Sequence, residues 1–197
     1  YLSYLKMVKN KIRTPKTVPI THSSEVEEAV KKLKTSFPIV LKSSTGTQTG
    51  VGVVIVESMR SLRALVQMIL LYNKNLPLII QEFVPIDYDI RVLVCEGQIL
   101  GAMKREVISG DGRSNVSLGA EAAEIELTDI EKEESIRIAQ IFGTRLAGID
   151  LLPADNREKD LPYCLEVNSN PGLQGIERYV GGITKQFIEM FKDKDIW

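Results

Sequence analysis

The chain has 197 residues, of which 44% are hydrophobic and 26% are charged, a composition typical of a globular domain of this length. Its 25 basic and 26 acidic residues leave a net charge of −1, which excludes the strongly basic field of a typical nucleic-acid-binding domain. No apolar run approaches the ~20 residues of a membrane span, and no signal peptide is visible, so we expect no nucleic-acid or membrane binding and a cytoplasmic location.

The first half of the chain alternates helical and extended patterns. The predicted elements are a helix over 2–12, an extended segment at 17–21, a helix opened by a capping box at Ser24 and Glu27 and running to about Lys34, the strands "FPIVLKS" and "VGVVIVE" around the loop "STGTQTG", a helix over 60–73, and the strand "PLIIQEF".

The second half continues with hairpins. The predicted elements are strands 89–96 and 98–107, the loop "SGDGRSN", a helix capped by Thr128 and Glu131 and running to about Leu146, strands 147–153 and 161–168 around the polar loop "DNREKD", and a final helix over about 180–193. Strands paired by hairpins, with helices between the groups, predict an α+β fold rather than a doubly wound parallel sheet.

The sequence has few histidines and cysteines. His22 is the single histidine, placed before a helix start, where a surface role is expected. This excludes His-rich zinc sites and, unless His22 is itself the base, a Ser-His-Asp triad. Cys95 and Cys164 lie in strand-like runs and are predicted to be buried thiols. Chemistry is therefore expected from Lys, Arg, Asp, Glu, Asn and the backbone.

The segment "LKSSTGTQTGVGV" could bind phosphate. Lys42 closes an apolar strand, and three glycines, Gly46, Gly50 and Gly52, follow it. Glycines let backbone N–H groups approach phosphate oxygens, and the lysine adds a positive charge. The segment lacks the Walker pattern, because no Gly-Lys-Ser/Thr ends the loop and no helix follows it. A flexible hairpin tip is the alternative.

The segment "LEVNSNPG" suggests a metal site. In a strand, alternation places Glu166, Asn168 and Asn170 on one face. Asp150 lies in the preceding strand "AGIDLL", whose hairpin would bring it opposite this region. Two carboxylates and an amide suit Mg²⁺, which prefers oxygen ligands. A solvated sheet face is the alternative.

Arginines form a third group. Arg91, Arg105 and Arg113 are brought towards one sheet by the second hairpin, where they could neutralise acidic neighbours or clamp a phosphoryl group. Before them, "IIQEFV" has the character of a hinge, whose backbone and Glu82 could hold a base and ribose.

These motifs, with "DIRVLV", "GRSN" and "LEVNSNPGLQGIE", occur in an order that resembles the ATP-grasp domain of the RimK-type ligases. That family comprises ribosomal-protein glutamate ligases and amino-carrier relatives of lysine biosynthesis. The resemblance runs from about residue 14 to 185. It implies two α+β lobes that grip ATP: a small lobe over 17–85 and a large lobe over 86–197, with 1–16 as the remnant of a preceding region.

The resemblance also implies site residues. Arg105 would stabilise the oxyanion, and Arg113 and Asn115 would belong to the acyl-phosphate pocket. The implied ATP-binding residues are Lys42, Gly46, Thr47, Gln48, Gly50, Gly52, Glu82, Phe83, Asp89, Arg113, Ser114 and Asn115, and the implied metal ligands are Asp150, Glu166 and Asn168.

The implied activity is that of an ATP-dependent carboxylate–amine ligase working through an acyl phosphate. It would add glutamate or a similar amino acid to a protein or peptide acceptor, with ATP and Mg²⁺, or Mn²⁺ as the alternative metal. A homo-oligomer is compatible with the resemblance. Two alternative functions remain: a non-catalytic ATP-binding module, and another ATP-grasp ligase for peptides or amino acids.

The sequence departs from the family pattern in three ways. It begins at Tyr1, so we expect a fragment or a processed product. We expect this chain to lack the domain that usually precedes ATP-grasp in the family and an earlier phosphate-contacting lysine, whose position would fall just before Tyr1. The glycine loop is also one residue longer, because Thr49 separates "GTQ" from "GVG".

Overall fold

The computed structural model describes residues 1–43, 52–107 and 121–192. Six helices and nine strands in these ranges form an α+β fold with two antiparallel sheets, which confirms the predicted fold class. The elements are α1 Leu2–Lys9, β1 Thr17–Ile20, a 3₁₀ turn Ser23–Glu25, α2 Val26–Leu33, β2 Ile39–Ser43, β3 Val53–Val56, α3 Met59–Tyr72, β4 Leu78–Glu82, β5 Tyr88–Cys95, β6 Gln98–Glu106, β7 Ala122–Glu124, α4 Asp129–Phe142, β8 Leu146–Leu152, β9 Tyr163–Asn168, α5 Gln174–Val180 and α6 Ile183–Phe191.

The first sheet has the strand order β1-β4-β2-β3. Its strands alternate, so that Leu41 and Ile80 point into a core shared with α2 and α3. Lys42 and Gln81, one residue further along each strand, therefore lie on the opposite face. The polar residues of this sheet thus share the face that the helices leave open.

The second sheet has the strand order β7-β6-β5-β8-β9. One face packs against α1 and α4 through a core that contains Met7, Ile90, Ile138 and Ile149. Part of the other face is covered by α5 and α6 in a smaller apolar cluster around Leu93. The rest of that face carries the charged residues described below.

The N-terminal helix belongs with the second sheet. Met7 and Ile12 are buried in its core cluster. The Arg13 carbonyl then accepts a 2.7 Å hydrogen bond from the Cys164 backbone N–H, next to the start of β9. Residues 1–13 therefore brace the outer strand of the second sheet before the chain enters β1 of the first.

Three sequence-based details were wrong. No capping box forms at Ser24 and Glu27. A 3₁₀ turn intervenes, and the Glu25 carboxylate instead accepts bonds from the backbone N–H groups of Thr21 and His22. The final helix, predicted over about 180–193, is α6, and it begins only at Ile183. The helix before it, α5, was not predicted, and positive φ at Gly181 and Gly182 separates the two. The short strand β7 was not predicted.

The expectations about the cysteines, the histidine and the start of α4 are confirmed. Cys95 and Cys164 are buried thiols, and His22 is exposed. Thr128 and Glu131 form the predicted capping box at the start of α4. Over the described ranges, no helix has the length and apolar character needed to cross a membrane.

Candidate active site

Charged side chains form a row across three strands of the second sheet. The register pairs Arg91 on β5 with Asp150 on β8, and Asp150 with Glu166 on β9. Directly paired residues of an antiparallel sheet share a face, so all three side chains project from the same side. Asn168, two residues beyond Glu166, lies on this face as well.

Asp150 is buried, with 6% of its surface exposed, and two arginines neutralise it. Arg91 donates from Nε and, at 2.7 Å, from Nη2 to its two carboxylate oxygens. The Arg105 Nη2 lies 3.1 Å from Oδ1. Burial alone raises the pKa of Asp150, but the charges and hydrogen bonds of the two arginines hold it below its ordinary value. Asp150 is therefore a carboxylate in the folded chain.

Arg105 also joins the next pair along the sheet. It donates from Nε and Nη2 to the two Asp89 oxygens, each at 2.6 Å. Asp89 is 2% exposed, and Arg105 is 7% exposed. Planar two-bond pairing of this kind fixes the guanidinium in position. Arg105 consequently spans Asp89 and Asp150.

Glu166 has a different environment from its neighbour. Its side chain is open to solvent at the end of the row. Surrounding protein still reduces its hydration and, together with the Asp150 charge, raises its pKa, whereas Arg91, Lys42 and Arg105 act in the opposite direction. The end of the row thus carries negative charge that the described cations do not fully offset.

Lys42 supplies positive charge from the first sheet. Its side chain is largely surrounded by protein, which lowers its pKa, and the charges of Glu166 and Asp150 raise it. The ammonium therefore interacts electrostatically with two carboxylates of the second sheet. Its Nζ donates a 2.8 Å hydrogen bond to Gln81 Oε1. The site therefore sets a lysine of one sheet against two acids of the other.

The Asn-Pro-Gly turn after β9 packs against the row. A Cβ on Gly148 would lie 2.8 Å from Pro171 Cβ and 3.3 Å from Arg91 Nη1. Only glycine therefore leaves room for both the turn and the guanidinium. Asn168 Oδ1 accepts a 2.9 Å bond from the Asn170 N–H, which fixes the amide oxygen at the start of the turn.

Comparison with known proteins identifies the family. Residues 1–191 match the family described as "RimK-like ATP-grasp domain". The chain belongs to the RimK-like ATP-grasp family. Proteins named "Probable alpha-L-glutamate ligase" are 34% identical over 184 residues in Psychromonas ingrahamii and 38% identical over 181 residues in Coxiella burnetii. These alignments cover 90% and 87% of this chain but 58% of each relative, so the chain spans less than two thirds of their length.

Solved structures share the ATP-grasp fold at lower sequence identity. The ligase PsnB, complexed with precursor peptide PsnA2 and AMPPNP, superposes with a TM-score of 0.69 at 18% identity, over 96% of this chain and 57% of PsnB. D-alanine–D-alanine ligase from Bacillus anthracis gives a TM-score of 0.68 at 18% identity, over 95% of this chain and 65% of the ligase. A RimK domain protein from Sphaerobacter thermophilus gives 0.68 at 20% identity, over 93% and 64%.

The acidic end of the row has the donor chemistry of a magnesium site. Asp150, Glu166 and Asn168 offer two carboxylates and an amide oxygen, the ligands that Mg²⁺ prefers. Asp150 and Glu166 are direct partners in the register, so a cation bound by both would offset the repulsion between their charges. No cluster of three or more His, Cys, Asp or Glu suited to a metal occurs in the described ranges, which is compatible with a set of two acids and one amide. The residues fit the ion.

The predicted hinge residues have structural contacts of their own. The Glu82 N–H donates to the Lys16 carbonyl at 2.8 Å, and the Lys16 N–H donates to Glu82 Oε2 at 3.1 Å. This exchange ties the end of β4 to the segment that enters β1. Phe83 follows directly. ATP contacts by Glu82 and Phe83, and a ribose contact by Asp89, stay predictions.

The other predicted residues divide into two groups. Gly52 is described and has a φ of 94°, a conformation that favours glycine, before β3 begins. Outside the described residues lie Gly46, Thr47, Gln48, Thr49, Gly50, Arg113, Ser114 and Asn115. Sequence reasoning overlooked Gln81, which contacts Lys42. A polar residue inside the otherwise apolar "LIIQEF" was the available signal.

Proposed function

We propose that the chain forms the ligase core of an ADP-forming carboxylate–amine ligase that adds glutamate, or a similar amino acid, to a protein or peptide. The observation that carries the proposal is the row of directly paired Arg91, Asp150 and Glu166, whose two acids interact electrostatically with Lys42 of the first sheet. Such a site offers positive charge for a polyphosphate and oxygen ligands for its metal ion. We also propose that residues 17–85 and 86–197 act as the small and large lobes that close on ATP.

In the proposed reaction, a carboxylate oxygen of the substrate attacks the γ-phosphorus of ATP. The bond between that phosphorus and the β–γ bridging oxygen breaks, and ADP leaves. An amine then attacks the acyl carbon of the acyl phosphate and loses a proton, while inorganic phosphate departs. The chemistry needs charge neutralisation more than acid–base catalysis, which suits a chain with one histidine.

Five side chains of the site have roles in this proposal. Lys42 binds the terminal phosphates, and Arg105 stabilises the oxyanion that forms as the amine attacks. The contacts of Arg105 with Asp89 and Asp150 use its Nε and Nη2 atoms, so we assign the oxyanion contact to Nη1. Asp150, Glu166 and Asn168 hold Mg²⁺, which supplies Lewis-acid stabilisation of the phosphate charge when bound.

Glutamate is supported by the names of the curated relatives. A peptide acceptor is supported by the precursor peptide named with PsnB, at the level of the shared fold. Both assignments are proposals, because the chain spans 58% of those relatives' length.

The test is ADP release by the purified chain with MgATP, a panel of amino acids and candidate acceptor peptides, with products identified by mass spectrometry. We expect ADP release that requires glutamate and a product heavier by one glutamyl residue. The variant Lys42→Met should lower the rate by about 10²–10³. ATP binding without turnover would support a binding module instead, and turnover with D-alanine alone would support a different ATP-grasp ligase.

A further inference from the structure

The first sheet carries a chain of buried hydrogen bonds that ends at Lys42. Lys42 Nζ lies 2.8 Å from Gln81 Oε1. Gln81 Nε2 lies 2.7 Å from Thr17 Oγ1, which lies 3.0 Å from the Pro15 carbonyl oxygen. Gln81 and Thr17 are each 4% exposed. The chain therefore links the segment that precedes β1 to the ammonium in the site.

The direction of every hydrogen bond in this chain is fixed by its far end. A carbonyl oxygen can only accept, so the Thr17 hydroxyl must donate its one proton to Pro15. The Thr17 oxygen must then accept from the amide nitrogen of Gln81. The amide oxygen of Gln81 consequently faces Lys42, whose ammonium can only donate. The opposite orientation of the amide would set donor against donor at Lys42 and acceptor against acceptor at Thr17.

The strand register explains why these residues meet. Thr17 on β1 is the direct partner of Gln81 on β4, and Gln81 is the direct partner of Val40 on β2. Lys42 lies two residues beyond Val40, on the same face and diagonal to Gln81. This relay of hydrogen bonds therefore crosses β1, β4 and β2, three of the four strands of the sheet.

We propose that Gln81 and Thr17 are positioning residues that orient Lys42 towards the phosphates of the bound nucleotide. This inference rests on the proposed ATP-dependent function. A neutral amide holds the ammonium without cancelling its charge, as a carboxylate would, so the full positive charge is kept for an anionic ligand. Thr17 acts at a distance, by keeping the acceptor end of the amide turned to Lys42.

The relay can be tested by comparing ligands that do and do not carry phosphates. Binding of MgATP, MgADP and adenosine would be measured by calorimetry on the 197-residue chain and on the variants Gln81→Leu and Thr17→Val. We expect Gln81→Leu to weaken MgATP and MgADP binding about tenfold and Thr17→Val about three- to fivefold, with adenosine binding unchanged. Thr17→Ser keeps the hydroxyl and should restore the affinity.

A matched control is Thr21→Val. It also removes a threonine hydroxyl, but just beyond the other end of β1. There the Thr21 hydroxyl donates to Glu25 and is not part of the relay. It should leave nucleotide affinity unchanged. Melting temperatures of all variants would separate a loss of folded protein from a loss of affinity.

The possible outcomes separate the two proposals. If the unaltered chain binds neither MgATP nor MgADP, the proposed function fails. If it binds them, and a folded Gln81→Leu or Thr17→Val variant binds all three ligands as tightly, the positioning role is wrong. An equal loss for adenosine and for the phosphorylated ligands would also overturn it, because that result indicates a general disturbance of the site.

Discussion

Among the described residues, buried carboxylates are paired with arginines in two regions, and one of these regions has the character of an active site. In α4, Glu131 is 1% exposed and is held through both oxygens by Arg157, at 2.8 and 2.7 Å. Glu134 is 4% exposed and is held by Arg137 in the same way, at 2.7 Å for each bond. Each acid has an arginine of its own.

The two arginines that pair with these α4 acids also bind backbone carbonyls. Arg157 donates to the Glu126 carbonyl at 2.9 Å, and Arg137 donates to the Asn10 carbonyl at 3.2 Å. These bonds fasten the β8–β9 connection and the end of α1 to the helix. The pairs of α4 thus lock elements together and leave no acid oriented towards a ligand.

In the candidate active site, by contrast, the charges are shared. Asp150 lies between Arg91 and Arg105, and Arg105 also binds Asp89. Glu166 continues the row with a raised pKa. The comparison teaches that pairing with arginine does not by itself mark function. The feature that distinguishes the candidate active site is a solvent-accessible acid with a raised pKa, Glu166, at the end of a row of paired charges. Glu166 also interacts electrostatically with Lys42 of the other sheet.

The largest expected effect comes from removing one acid of each region. Asp150→Asn and Glu131→Gln each remove a buried carboxylate from an arginine that binds both of its oxygens, so both should lower the free energy of unfolding by about 3–5 kcal/mol. Only Asp150→Asn should also lower ADP release per folded molecule, by about 10²–10³. Denaturant unfolding and single-turnover assays at low temperature measure the two effects. Equal activity in both variants would remove the distinction between the regions.

Glu166→Gln should separate activity from stability. The side chain is solvent accessible, and its charge is disfavoured by Asp150, so the amide should leave the melting temperature unchanged or slightly raised. Loss of a metal ligand should nevertheless abolish magnesium-dependent ADP release. Mn²⁺ binding followed by electron paramagnetic resonance gives a readout independent of turnover. Normal activity with Mg²⁺ in this variant would refute the metal assignment.

Gly101 on β6 and Gly148 on β8 are both direct partners of Leu93 in the sheet. Their alanine variants form a matched pair with smaller expected effects on stability and activity. A Cβ on Gly148 would press against Pro171 and Arg91, whereas one on Gly101 would lie 2.7 Å from Ile183 Cδ1 under α6. Each alanine variant should cost about 1–3 kcal/mol of stability. We expect only Gly148→Ala to reduce ADP release, by about tenfold, because only Gly148 contacts Arg91. The result is checked by assaying both variants at equal folded fractions, and a matching loss in Gly101→Ala would contradict it.

The smallest effect concerns an exposed carboxylate with no arginine. Hydrogen bonds from the Thr21 and His22 backbone N–H groups lower the pKa of Glu25 to about 2. A lowered pKa stabilises the folded chain above the ordinary value of 4.5, and this contribution is lost as the pH falls from there towards 2. Glu25→Gln should lack that component of the pH dependence. Carboxyl NMR titration measures the pKa directly, and titration of Glu25 near 4.5 would refute the interpretation.

Local sequence determined the elements and much of the site. Two-residue alternation in "AGIDLL" and "LEVN", joined by a short polar connection, suffices to place Asp150 and Glu166 together, and the register confirms that they are direct partners. Hydrophobic periodicity and the Thr128 cap located α4 to within a few residues. These features depend on neighbours along the chain, which a sequence displays directly.

Tertiary structure decided which charges meet. Arg91 and Asp150 are 59 residues apart, and Gln81 and Thr17 are 64 apart. These contacts exist because β5 lies beside β8 and β1 beside β4, and strand order is set by the packing of whole sheets on their helices rather than by any local pattern. For the same reason, sequence could nominate Lys42 as a phosphate ligand, but only the assembled sheet set Gln81 and Thr17 behind it.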